Sequence, residues 1–88
     1  MKEIPQSVTA YKKTPVFTEE SVPDGLLKEH RTKEGVWGKI VIMRGSLLYT
    51  IGEEENVLDV DHFGVVEPVI THQVRPLGKV NFYVEFYR

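Results

Sequence analysis

The sequence predicts an all-β fold, a small barrel or sandwich, and three observations carry that expectation. Residues 80–87 alternate cleanly, with Val80, Phe82, Val84 and Phe86 on one side and Asn81, Tyr83, Glu85 and Tyr87 on the other. Apolar runs of similar length are separated by Gly- or Pro-bearing turns, among them Pro23-Asp24-Gly25, Arg44-Gly45-Ser46 and Pro76-Leu77-Gly78-Lys79. No segment sustains a helical apolar period over several turns.

Taken in order, Ser7 to Tyr11 is rich in β-forming residues and predicts a short strand, broken at Lys12-Lys13-Thr14-Pro15. Val16 to Thr18 predicts a second. Pro23-Asp24-Gly25 is a turn because proline presets φ and glycine accepts positive φ. Leu26 to Thr32 reads as a strand with Lys28, His30 and Thr32 on one face, a short amphipathic helix being the alternative. Val36 to Arg44 is the strongest strand, with Val36, Gly38, Ile40 and Ile42 facing one way and Trp37, Lys39, Val41 and Met43 the other. A tight turn at Arg44-Gly45-Ser46 would return Leu47 to Ile51 as its hairpin partner. Gly52 to Asn56 reads as an acidic hairpin tip, Val57 to Val60 as a strand, and Asp61 to Gly64 as a turn. Val65-Val66 starts another strand, which Pro68 places at an edge or turn, and Thr71 to Arg75 carries His72.

The 88 residues form one domain over 1–88, with no repeat, linker or low-complexity tract. A chain of this size buries only about two-thirds of its unfolded surface, so dimerisation would help it. There is no cysteine, hence no disulfide and no thiolate ligand or nucleophile, which points to the cytoplasm. The first residues lack the apolar core of a signal peptide, and no apolar run approaches the about 18 residues of a membrane span. A formal charge of −2 with scattered basic residues argues against nucleic-acid binding.

His30 and His72 are the residues on which chemistry could rest. A metal in a β-barrel needs ligands from non-adjacent strands converging in one lumen, and neutral imidazole suits Zn, Fe, Mn or Ni. The plainer reading is that each histidine is a half-buried polar residue satisfied by a backbone carbonyl. Glu67 and Glu85 are candidate further ligands: strand parity sets both off the inner face, although the turn at Pro68 could reset Glu67. Glu34 shares the parity of His30 but sits beside Gly35. His62, in a turn beside Asp61, reads as surface. Trp37 reads as wall packing, or as part of a pocket wall. Arg31 and Arg44 could meet an anion but more simply face solvent. GxGxxG, P-loop, GxSxG and HExxH patterns are all absent, so no motif demands catalysis.

The segment Pro23 to Lys39 resembles the small cupin-like family found in the N-terminal part of some TehB tellurite-resistance proteins and in stand-alone chains of the YeaR type. Val66-Glu67-Pro68-Val69-Ile70-Thr71-His72-Gln73-Val74 resembles its second motif, and Phe82 to Tyr87 its closing strand. The resemblance covers essentially the whole chain. It implies a cupin-like double-stranded β-helix, a jelly-roll barrel, that dimerises and holds one divalent metal, with His30 and His72 facing it. Longer TehB relatives continue into an S-adenosylmethionine-dependent methyltransferase domain, so a methyltransferase partner is a further implication.

The chain departs from the general cupin motifs. Gly38 stands where the first motif has Glu, Thr32 where it has a second His, and His72 follows Pro68 one residue early. The expectation is therefore a tellurite-resistance-related module binding a divalent metal or a small anionic ligand in a stress response. A metal-dependent dioxygenase or isomerase is the enzymatic alternative, and a non-catalytic interaction domain the third.

Overall fold

The computed structural model describes residues 1–88. In chain order the elements are β1 (Ala10–Lys13), β2 (Phe17–Thr18), α1 (Asp24–Leu27), β3 (Trp37–Ile51), β4 (Glu54–Leu58), β5 (Gly64–Val66) and β6 (His72–Tyr87). The chain is all-β apart from the single turn of α1. Its six strands form one antiparallel sheet, in the order β1-β6-β3-β4 with β2 added on β6 and β5 on β3. No helix is long and apolar enough to cross a membrane.

Two long strands organise this sheet. β3 and β6 pair along their whole length, from Trp37 opposite Tyr87 to Ile51 opposite His72. This corrects the hairpin expected at Arg44-Gly45-Ser46 and the turn expected at Pro76 to Lys79. Both segments are irregularities inside continuous strands, with register shifts between Ile42 and Arg44 and between Gly45 and Leu47. A bulge and a turn make the same local demand for positive φ, and Gly45 and Gly78 supply it at 79° and 98°. At Gly45 the demand is also spatial, because a Cβ there would overlap the carbonyl oxygen of Lys79.

The register shifts keep apolar side chains inward. Gly38, Ile40 and Ile42 are the buried positions before them; Leu47, Tyr49 and Ile51, of opposite parity, are the buried positions after. A straight strand would have turned one of these sets to solvent. From β6 come Val74, Val80, Phe82 and Val84, and Leu58, Val66 and Val22 complete the core. Phe17, Leu26 and Phe86 pack against it, half-buried. Phe82 is closed off entirely, with the Phe17 ring tilted against it at 5.6 Å.

The true hairpin lies one element later. Gly52, at φ 57°, occupies the first central position between β3 and β4, where a two-residue turn favours glycine. Three of the residues expected in an acidic loop, Glu54, Glu55 and Asn56, are thus strand residues of β4. The stretch from Leu26 to Thr32 is not a strand either. It begins as the end of α1 and meets the sheet at one bridge, His30 opposite His72.

Candidate functional site

That bridge builds the site. The N–H of His30 donates to the carbonyl of His72 at 2.8 Å, and the N–H of His72 donates back to His30 at 2.7 Å. Residues directly opposite on antiparallel backbones project side chains to the same face, so the two imidazoles meet. Their rings stand edge to face, with centroids 5.3 Å apart at 78°. His30 Nδ1 lies 3.4 Å from His72 Nε2.

The two rings have different environments. His72 is 4% exposed, whereas His30 is exposed. Burial pushes the His72 imidazole below its ordinary value; the Ile70 carbonyl opposes this and His30 adds to it. His72 is therefore neutral near pH 7. The Ile70 carbonyl lies 3.3 Å from His72 Nδ1 and assigns the proton there. Nε2 is left as a lone pair pointing at His30. One ring nitrogen of His72 is thus anchored to a backbone carbonyl, and the other accepts from His30 Nδ1; were His30 to release that contact, Nε2 would stand as a metal ligand does.

The pair lines a cavity of about 160 Å³. Phe17, Leu26, Ile40, Val66, Phe82 and Val84 are among its apolar walls, and Thr14 and Thr32 are its other polar residues. Both hydroxyls are already engaged. Thr32 Oγ1 donates to the Val36 carbonyl at 2.8 Å. Thr14 Oγ1 donates to the Pro15 carbonyl and accepts from the Val84 N–H, each at 2.9 Å. Behind His72, at 6.3 Å between centroids, the buried Tyr49 donates its hydroxyl to the Val65 carbonyl at 2.9 Å.

The other residues singled out in the sequence lie elsewhere. Trp37 is half-buried on the face of β3 opposite Gly38, Ile40 and Ile42, and it does not line the cavity. Strand parity already placed it there, and the pocket-wall expectation is corrected accordingly. Glu67 is half-buried outside the cavity lining, so the turn at Pro68 does not carry it inward. Glu85 faces away from the core, and its carboxylate accepts the Tyr87 hydroxyl at 2.6 Å. Arg31 and Arg44 are exposed and do not line the cavity. His62 is a surface residue paired with Asp59 at 2.8 Å. No group of three or more His, Asp or Glu side chains converges anywhere in the fold.

The donor set thus consists of two imidazoles. Two histidine nitrogens bound to one tetrahedral metal at about 2.0–2.1 Å stand about 3.3–3.4 Å apart, the spacing found here. The same distance is that of the hydrogen bond between the rings; a metal replacing its proton could take His30 and His72 as two ligands, and its remaining positions would fall to solvent or to a bound molecule.

A TehB-like domain model matches residues 12–84. A probable S-adenosyl-L-methionine-dependent methyltransferase TehB of Haemophilus influenzae is 34% identical over 75 residues, which cover 77% of this chain and 26% of that protein. The TehB of a second Haemophilus influenzae strain is 32% identical over the same length. The chain therefore spans about a quarter of these relatives (26%). Among solved structures, Haemophilus influenzae TehB superposes with a TM-score of 0.87 at 28% identity, covering 93% of this chain and 32% of that one. An Escherichia coli K12 protein superposes with a TM-score of 0.91 over 100% of this chain and 97% of its own, at 21% identity, a likeness of fold. With the domain model matched over most of its length and TehB itself as a relative, the chain belongs to the TehB-like family.

Proposed function

We propose that this chain is a cupin-like jelly-roll domain, one unit over residues 1–88, whose function is binding rather than catalysis. His30 and His72 hold one divalent cation (Zn, Fe, Mn or Ni), and the apolar cavity beside them receives a small ligand. The observation that carries this reading is the 3.4 Å separation of the two ring nitrogens beside an apolar cavity. An enzyme of the dioxygenase or isomerase type is the weaker reading, because such sites rest on three protein ligands with an open position.

The kinship with TehB supports a tellurite-resistance context, and it supports a methyltransferase as partner, in the cytoplasm. An anionic ligand would depend on the cation for its charge, since no Lys or Arg lines the cavity. A homodimer is proposed on the small core, with the outward face of β3 and β6, which carries Trp37, Val41 and Tyr83, half-buried and available.

The test is elemental analysis by plasma mass spectrometry on untagged protein, alongside zinc titration of wild type, His30→Ala and His72→Ala. Saturable binding of one zinc per chain that both substitutions abolish is the expected result. A wild type that neither carries metal nor gains thermal stability from Zn, Fe, Mn or Ni would sink the metal reading.

A further inference from the structure

We infer that the cavity beside His30 and His72 takes a small uncharged, largely apolar molecule about the size of one six-membered ring, and does not take a free oxyanion. The inference deepens the binding function proposed above and rests on it. Its first support is size and lining. The space is about 160 Å³, and apolar protein cavities of about 150 Å³ stay dry and admit benzene.

The second support is charge. None of the 13 lining residues is Lys, Arg, Asp or Glu. An ion entering this space gives up its hydration and finds no opposite charge, a transfer that costs far more than that of a neutral molecule. The third support is the distribution of polar valence. Thr14 and Thr32 spend their hydroxyl protons on backbone carbonyls. The two facing ring nitrogens of His30 and His72 are spent on each other at 3.4 Å, so the lining presents an apolar surface to a guest.

The guest lies against Phe17, Leu26, Phe82 and Val84. Benzene meets this description, phenol adds one hydroxyl to it, and tellurite violates it.

The experiment is methyl-resolved NMR of the metal-free 88-residue chain, titrated separately with phenol, benzene and tellurite. The expected result is a saturable shift of the Ile40, Val66 and Val84 methyls with phenol and with benzene, and none with tellurite. Leu26→Phe, which narrows the cavity, should weaken both phenol and benzene; should it not fold, the wild-type titrations still decide.

Tellurite moving those methyls as strongly as phenol overturns the inference. Phenol moving only surface resonances overturns it as well. If zinc binds at the histidines while phenol leaves the methyls unmoved, the ligand class fails and the binding reading stands. If neither zinc nor phenol acts there, both fail.

Discussion

Val69, a β-branched residue held at φ 58°, donates its backbone N–H to the carbonyl of Thr32 at 3.2 Å. A β-branched side chain in the left-handed region is strained. The turn that contains it delivers the Ile70 carbonyl to His72 Nδ1, so the strain sits where His72 is oriented. Asparagine tolerates this conformation and retains the N–H. Val69→Asn should therefore raise stability by about 0.5–1 kcal/mol while leaving zinc affinity unchanged, measured by urea denaturation and calorimetric titration. A loss of stability would show that the exposed Val69 side chain contributes packing that outweighs the strain.

The two histidines should separate in stability while acting together in binding. His72→Ala empties a buried position and strips the Ile70 carbonyl of its donor, at an expected cost of about 1–3 kcal/mol. His30→Ala touches an exposed ring and should stay within about 0.5 kcal/mol of wild type. Chemical denaturation of both variants without metal checks the difference. Equal losses would contradict the unequal burial.

Stability should also fall in mild acid. His72 in the unfolded chain titrates near 6.5, and folding lowers that value through burial. Between the two values the unfolded chain binds more protons than the folded one, so acid favours unfolding. The contribution of neutral His72 is complete above about pH 6.5, shrinks as pH drops below that value, and levels off beneath the folded value. His62 acts in the opposite sense. Its bond to Asp59 raises it, so its contribution is present in acid and is lost as pH rises through the folded value, although solvent surrounds it. The measurement is the urea midpoint against pH, and its acid slope should flatten in His72→Phe.

Gly45 and Gly35 share nearly the same backbone angle, 79° and 80°, but not the same surroundings. Nothing lies near a Cβ built on Gly35, whereas one on Gly45 runs into the main chain at Lys79. Gly35→Ala should cost about 1 kcal/mol, the conformational term alone. Gly45→Ala must also push β3 away from β6 and should cost at least about 3 kcal/mol or prevent folding. Thermal denaturation of the two variants compares them.

How much of this was legible in the sequence depended on whether the signal was local. Alternation in Val80 to Phe86 marked the core face of β6, and the parity of Gly38, Ile40 and Ile42 marked that of β3. The same parity set Trp37 outside, against the idea of it as a pocket wall. His30 and Thr32 both line the cavity, although their segment meets the sheet at one bridge and is not the expected strand. The continuity of β3 through Gly45 was not legible, because a bulge and a turn ask for the same residue. Only the distant partner at Lys79 and Val80 distinguishes them. The cavity walls at Thr14, Phe17 and Leu26 were equally hidden, because Phe17 and Leu26 sit on elements too short to show a period and Thr14 on the link between β1 and β2.

The pairing of β3 with β6 carries a kinetic consequence. Of all the partners along that ladder, Ile51 and His72 are closest in sequence, and Trp37 and Tyr87 are farthest apart. Closing the short loop costs the least chain entropy, so assembly is expected to start at Ile51 and His72 and to zip outward. Truncating Ile51 should slow refolding, whereas truncating Val84, towards the far end, should chiefly hasten unfolding; stopped-flow rates of the two variants test this order. The histidine end of the molecule would then be assembled first, and a metal captured there would speed folding as well as slow unfolding.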